Sequence, residues 1–269
     1  MTYQSNALSR VGRHVQLADA RIHYVRIGSG RQPLVLLPGI TSPAATWEFV
    51  ADKLSEFADV YVLDIRGRGL SSGGPQLSYM LDDYARDVQG VIEALDIKQP
   101  VILGHSMGAR IAVRFAATYP TPIEKLVLVD PPVSGPGRRP YPIGLAYYLE
   151  SIEEVSRGEG YEALKSTFGW TDDQIEARME WLPTCDPYAI AETHRSFHEE
   201  GIHDDLPVIN VRSLLLYAEQ GGTVSDDDAK AFSQAMPDCE SVKVLNAGHM
   251  IPWDQLDVFV DEVRRFLTS

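Results

Sequence analysis

The sequence predicts an α/β fold: a mostly parallel sheet covered by helices on both faces, with a helical insertion. Three observations predict it. Short, wholly apolar runs recur (Leu34 to Leu37, Val60 to Leu63, Leu126 to Val129), as strands buried on both faces require. Stretches with helical spacing stand between them. From Val133 to Leu206 this rhythm stops, and a stretch richer in Pro, Glu, Tyr and Trp carries helical patterns alone.

The elements follow in order. Arg21 to Ile27 alternates and is expected to pair at a sheet edge. Leu34 to Leu37 ends at Pro38-Gly39-Ile40-Thr41-Ser42-Pro43, and Trp47, Phe49, Val50 and Leu54 then keep helical spacing. Val60 to Leu63 is closed by Asp64 and a glycine-rich loop to Gly74. That loop lacks the Gly-Lys-Ser/Thr that holds phosphates and magnesium, so it is not read as a phosphate loop. Tyr84, Val88, Val91, Ile92 and Leu95 form a helical stripe. Val101 to Arg110 follows, and then Leu126 to Val129, closed by Asp130-Pro131-Pro132. After the insertion the sheet resumes at Ser213 to Tyr217; Ser225 reads as the cap of a helix reaching Met236. Ser241 to Leu245 is the last strand, and Trp253 to Leu267 a closing amphipathic helix. The expected organisation is a core of residues 1–132 and 207–269 with an inserted lid, 133–206.

Composition narrows the function. A chain of 269 residues suits one domain of the larger α/β kind. Net charge is −14 and the pI is near 4.9, which argues against nucleic acid as a partner. An anionic substrate would need local arginines against that field. Cys185 and Cys239 stand far apart, in no metal or redox spacing, and are expected as buried free thiols. No run approaches a membrane span and Met1 to Leu17 has no apolar signal core, so the expected setting is cytoplasmic. Whether copies associate into a homo-oligomer is left open.

The chemistry sits in Gly104-His105-Ser106-Met107-Gly108. An apolar strand before Gly-x-Ser-x-Gly and a helix-like run after it give the context of a nucleophile elbow. Ser106 is therefore the expected nucleophile. His249, in a turn after the last strand, is the expected base, since ligands of an open parallel sheet lie beyond the carboxyl ends of its strands. His105 is expected to face away from the substrate. His194, His198 and His203 lie in the insertion without the carboxylate or cysteine support of a metal site. Asp130, at a strand end, is the preferred acid. Asp226, Asp227 and Asp228 read as first-turn helix residues, and Asp254 as a helix start. The expected oxyanion donors are the N–H groups of Ile40 and Met107. Arg138 and Arg139, beside Tyr141, are the expected grip on a substrate carboxylate, with Arg110 as the alternative. Trp181, Tyr147, Tyr148, Met179 and Phe168 are expected to pack first and to line the pocket second.

Over essentially its whole length the chain resembles the α/β-hydrolase superfamily. Gly39, Asp64-Ile65-Arg66-Gly67-Arg68-Gly69-Leu70-Ser71, the elbow and Gly248-His249 carry the resemblance. Within it, three segments resemble the N-formylmaleamate deformylases of aerobic nicotinate breakdown. They are Gly39 to Ala44, Asp130 to Arg139, and Gly248-His249-Met250-Ile251-Pro252-Trp253. That resemblance implies an acid after the strand preceding the insertion. It also implies hydrolysis of N-formylmaleamate to formate and maleamate with neither metal nor cofactor. Elbow and triad alone leave an esterase, an enol-lactonase or a carbon–carbon hydrolase as alternatives, and a non-enzymatic receptor as a third class.

Overall fold

The computed structural model describes residues 11–269. Eight strands form one sheet: β1 (Val11–Gln16), β2 (Arg21–Ile27), β3 (Pro33–Leu37), β4 (Asp59–Leu63), β5 (Val101–His105), β6 (Lys125–Val129), β7 (Ser213–Ala218) and β8 (Cys239–Val244). Their order is β1-β2-β4-β3-β5-β6-β7-β8. β2 runs antiparallel to β1 and β4, and all pairings from β4 to β8 are parallel. Ten α-helices accompany it: α1 (Glu48–Leu54), α2 (Leu81–Ala94), α3 (Met107–Thr118), α4 (Leu145–Ser156), α5 (Tyr161–Phe168), α6 (Asp172–Trp181), α7 (Pro187–Glu199), α8 (Asp226–Ala235), α9 (Ile251–Asp254) and α10 (Leu256–Thr268).

The apolar runs are continuous because both faces of the sheet are covered. In β3, Leu34 and Leu36 join a core with Trp47, Val50 and Leu54, on and just before α1, and Phe259, Val263 and Phe266 of α10. Val35 and Leu37 point the other way, into a core with Tyr84 and Val88 of α2 and Ile111 and Phe115 of α3. Between β6 and β7 stand the four helices α4 to α7 and no strand. Cys185 and Cys239 are free and buried.

Two expectations are corrected. Arg21–Ile27 is not the edge strand; β1 lies outside it. In β1 only Val15 is buried among the residues after Val11, so the segment has almost no apolar pattern and is held by its ladder to β2. The closing helix is not continuous either. It breaks at Gln255, whose φ of −140° and ψ of 59° lie outside helical space. Ser225 does cap a helix: its hydroxyl accepts the Asp228 N–H, and the Asp228 carboxylate accepts the N–H of Ser225.

Candidate active site

The elbow is made by two glycines at contacts no side chain could occupy. A Cβ on Gly104 would lie 2.2 Å from the carbonyl oxygen of Gly108, and one on Gly108 would lie 1.8 Å from that of Leu37. Helix α3 can therefore press on β5 and β3, and the turn between strand and helix is forced to be sharp. Ser106 bears the strain, with φ 55° and ψ −118°. Its N–H is held by the carbonyl of Val129 at 2.8 Å.

Three strand ends converge there. Nε2 of His249 lies 2.9 Å from Oγ of Ser106, and Nδ1 lies 2.6 Å from Oδ2 of Asp130. An ionised carboxylate only accepts, so Nδ1 carries the proton and Nε2 is left to take one from the serine. Asp130 is fully buried. Burial pushes its pKa up, but the His249 hydrogen bond and charge, with the N–H groups of Thr223 and Ala218, pull it below the usual carboxylate value. The Thr223 N–H donates to Oδ2 at 2.7 Å and its hydroxyl to the Asp130 carbonyl at 2.7 Å. The loop after β7 thus supplies donors to the Asp130 carboxylate. Gly222 permits this, since a Cβ there would stand 2.8 Å from Oδ1 of Asp130.

The other acidic residues are engaged elsewhere. Asp226 pairs with Lys243, Asp227 with Lys230 and Asp228 with Arg139. Asp254 accepts the Gly248 N–H at 2.8 Å and so shapes the turn before His249. His105 is buried, and its Nε2–H donates to the His249 carbonyl at 2.9 Å. Burial lowers its pKa to about 3, which keeps the ring neutral. His194 contacts the Ile143 carbonyl through Nε2 at 2.9 Å, and its ring lies beside that of His198.

Met107 is the first residue of α3, so its N–H has no acceptor within the helix. The Gly39 carbonyl accepts from Ser42 N–H at 3.2 Å, which fixes the peptide that carries the Ile40 N–H. The next peptide is fixed by Arg68, whose Nε–H donates to the Ile40 carbonyl at 2.9 Å. Arg68 is itself oriented by Tyr84 and Thr193, and the turn that presents it is organised by Asp64.

A cavity of about 190 Å³ opens on Ser106. Ile40, Tyr141, Tyr147, Tyr148, Phe168 and Trp170 are among the residues that line it. The hydroxyls of Tyr141 and Tyr148 bond each other at 2.5 Å. Trp181 and Met179 are not in its wall, and neither are the three arginines expected to grip a carboxylate. Arg138 is exposed. Arg139 turns outward to Asp228 and to the Thr223 carbonyl. Arg110 is buried under the insertion, where its guanidinium binds the carbonyls of Pro132, Ser134 and Glu200. Proximity in sequence to Asp130 and the elbow misleads here, because the chain leaves the cavity after Asp130 and returns to its wall only at Tyr141.

The arginine that lines the cavity is Arg178, on α6. Its Nη2–H donates to Oγ1 of Thr41 at 3.0 Å and its Nη1–H to the Thr41 carbonyl. Sequence reasoning missed it. Its neighbours Glu176 and Glu180 make the segment read as a solvated helix face.

Comparison with known proteins agrees with this geometry. The profile of the alpha/beta hydrolase family matches residues 34–262. The chain is 46% identical to N-formylmaleamate deformylase of Pseudomonas putida, over 95% of this chain and 96% of that protein. It is 36% identical to 2-(acetamidomethylene)succinate hydrolase of Mesorhizobium japonicum, over 96% of each. The crystal structure of the N-formylmaleamic acid deformylase of Pseudomonas putida S16 superposes with a TM-score of 0.89. That match is at 42% identity and covers 94% of this chain and all of the other.

Proposed function

The chain belongs to the alpha/beta hydrolase family, and from that premise we propose that it hydrolyses N-formylmaleamate to formate and maleamate, a step of aerobic nicotinate breakdown. The observation that carries the reading is the row Asp130–His249–Ser106 at the mouth of a small cavity. A second relative is named for an amide acid too, which supports a carboxylate-bearing amide as the substrate class.

His249 takes the Ser106 proton as Oγ attacks the formyl carbon. The oxyanion rests on the N–H groups of Ile40 and Met107, where loss of one donor typically costs ~100- to 1,000-fold. His249 then protonates the departing amide nitrogen, the C–N bond breaks and maleamate leaves. Water, deprotonated by His249, attacks the formyl ester and releases formate. Asp130 holds the imidazole in the productive tautomer throughout. The insertion 133–206 acts as the lid in this reading, which its residues Tyr141, Tyr147, Tyr148, Phe168, Trp170 and Arg178 support by lining the cavity.

No helix among the described residues is long and apolar enough to cross a membrane. The two buried thiols, left unpaired, support a cytoplasmic setting.

Formate release from N-formylmaleamate tests the reading, run beside an enol-lactone, a simple ester and a vinylogous diketone. The amide should be preferred, and Ser106→Ala should abolish its turnover, with His249→Ala costing little more in the double variant because the residues act as a unit. Preference for any of the other three substrates, or turnover of Ser106→Ala within tenfold of wild type, would overturn it.

A further inference from the structure

Part of the guanidinium charge taken out of water in this acidic protein is met by carboxylates. Arg66 is paired with Asp87 and Asp19, and Arg114 with Asp205 and Asp82. Arg178 differs. Among the described residues no carboxylate pairs with it, and its partners are the two oxygens of Thr41. Its Nε–H is buried with no acceptor. Burial lowers its pKa, as it must for a cation held by dipoles alone. Arg68 and Arg110 are also held by neutral oxygens alone, and Arg110 Nε is likewise without an acceptor, but neither side chain stands in the cavity wall. Arg178 is the arginine in the wall around Ser106.

We propose that Arg178 is the anchor for the carboxylate of the substrate and that, through Thr41, it ties that carboxylate to the strand end carrying the Ile40 N–H. The inference rests on the functional reading above and deepens it. A planar carboxylate is the ligand that a guanidinium fork fits, and a small cavity walled by tyrosines and apolar side chains strengthens such a bond by excluding water. The same guanidinium grips the residue after Ile40. A bound anion therefore meets the group that also orients the oxyanion loop. Arg178 thus acts on binding through its charge and on turnover through Thr41.

The experiment compares charge pairs of substrates on the same protein preparations, so that any loss of folded protein cancels. The first pair is N-formylmaleamate and its methyl ester. The second is 4-nitrophenyl hemisuccinate and 4-nitrophenyl butyrate, which report on the anchor whatever the natural substrate is. Arg178→Gln should lower kcat/KM on the charged member of each pair by roughly tenfold to over a hundredfold more than on the neutral member, whose own smaller loss should match that of Thr41→Val. Arg178→Lys should restore part of the selectivity, because it keeps the charge without the fork. Thr41→Val should lower kcat on both members alike and leave the ratio between them unchanged. Maleamate binding to the Ser106→Ala protein, followed by calorimetry, should weaken by a similar factor when Arg178→Gln is added. Equal losses on charged and neutral members, or unaltered maleamate binding, overturn the anchor. Failure of the wild type on N-formylmaleamate, with the hemisuccinate preference present and lost in Arg178→Gln, overturns the substrate and leaves the anchor standing.

Discussion

Thr223 meets Asp130 at both ends: its N–H donates to Oδ2 and its hydroxyl to the main-chain carbonyl, each at 2.7 Å. The residue that bridges them comes from the loop after β7, so two neighbouring strand ends meet at one carboxylate. Asp130→Asn places an amide where His249 needs an acceptor for Nδ1–H. Turnover should fall by ~10,000-fold, as it does for the equivalent change in a serine protease. Thr223→Val removes the hydroxyl and keeps the N–H, and a lost hydrogen bond of this kind is worth about 1 kcal/mol. Its kcat should fall by about fivefold. Asp226→Asn, on the far side of the same loop, should leave kcat unchanged. Steady-state kinetics on the three variants decides the order, and an Asp226 effect larger than the Asp130 effect would move the acid to the later loop.

The glycines of the elbow invite a stability test. Gly108→Ala drives a methyl group against a backbone oxygen, which cannot swing aside as a side-chain tip would. Helix α3 must lift from β3, at a cost of about 3 kcal/mol or more. Gly144→Ala is the control. Nothing lies within 4 Å of its Cβ position, and it precedes α4 with φ −72°. It should change stability by no more than about 0.5 kcal/mol. Denaturant midpoints at constant m-value read both.

Which features were legible follows from how local their causes are. Strands buried on both faces write themselves as apolar runs, and the elbow writes its close contacts as glycines at 104 and 108. His249 and Asp130 were legible because a parallel sheet gathers its strand ends at one edge. β1 was not, because an exposed edge needs only backbone pairing. Arg178 was not, because its partner Thr41 is 137 residues away and nothing around it on α6 records the contact. The same gap explains Arg138 and Arg139: adjacency to the acid along the chain carries no information about which way the loop then turns.

His105 gives the protein a pH dependence of known sign. In the folded chain its ring stays neutral down to about pH 3, while in the unfolded chain it takes a proton near pH 6.5. The unfolded state therefore binds more protons as pH falls below 6.5, and stability present above that value is lost toward pH 3. Between pH 7 and pH 4.5 the loss from this group is about 3 kcal/mol, at roughly 1.4 kcal/mol per pH unit. His105→Gln keeps a donor for the His249 carbonyl and has nothing to titrate. It should be less stable than wild type at pH 7 and should close that gap by about 3 kcal/mol at pH 4.5. Urea unfolding at the two pH values measures it, and a gap that stays constant would show that His105 is not the titrating group.

Arg138, Arg139 and Arg110, the arginines that the sequence suggests as a carboxylate grip, should separate by what they hold. Arg139 is half exposed and pairs with Asp228, and such pairs contribute about 0.2–1 kcal/mol. Arg138 is exposed. Arg138→Ala and Arg139→Ala should therefore leave kcat/KM within about threefold of wild type, on charged and neutral substrates alike. Arg110 is different in kind. Its guanidinium satisfies three carbonyls from two segments, Pro132 to Ser134 and Glu200, and lies over the ring of Phe197. It pins the start of the insertion and the end of α7 to the helix that follows Ser106. Arg110→Ala leaves those carbonyls buried without donors, at about 1–3 kcal/mol for each that water cannot reach. The variant should lose several kcal/mol in denaturant unfolding. Near its lower midpoint, activity on charged and neutral substrates should disappear together, with no change in their ratio. A charge-selective loss in Arg139→Ala or Arg110→Ala would return the carboxylate to the base of the insertion and away from Arg178.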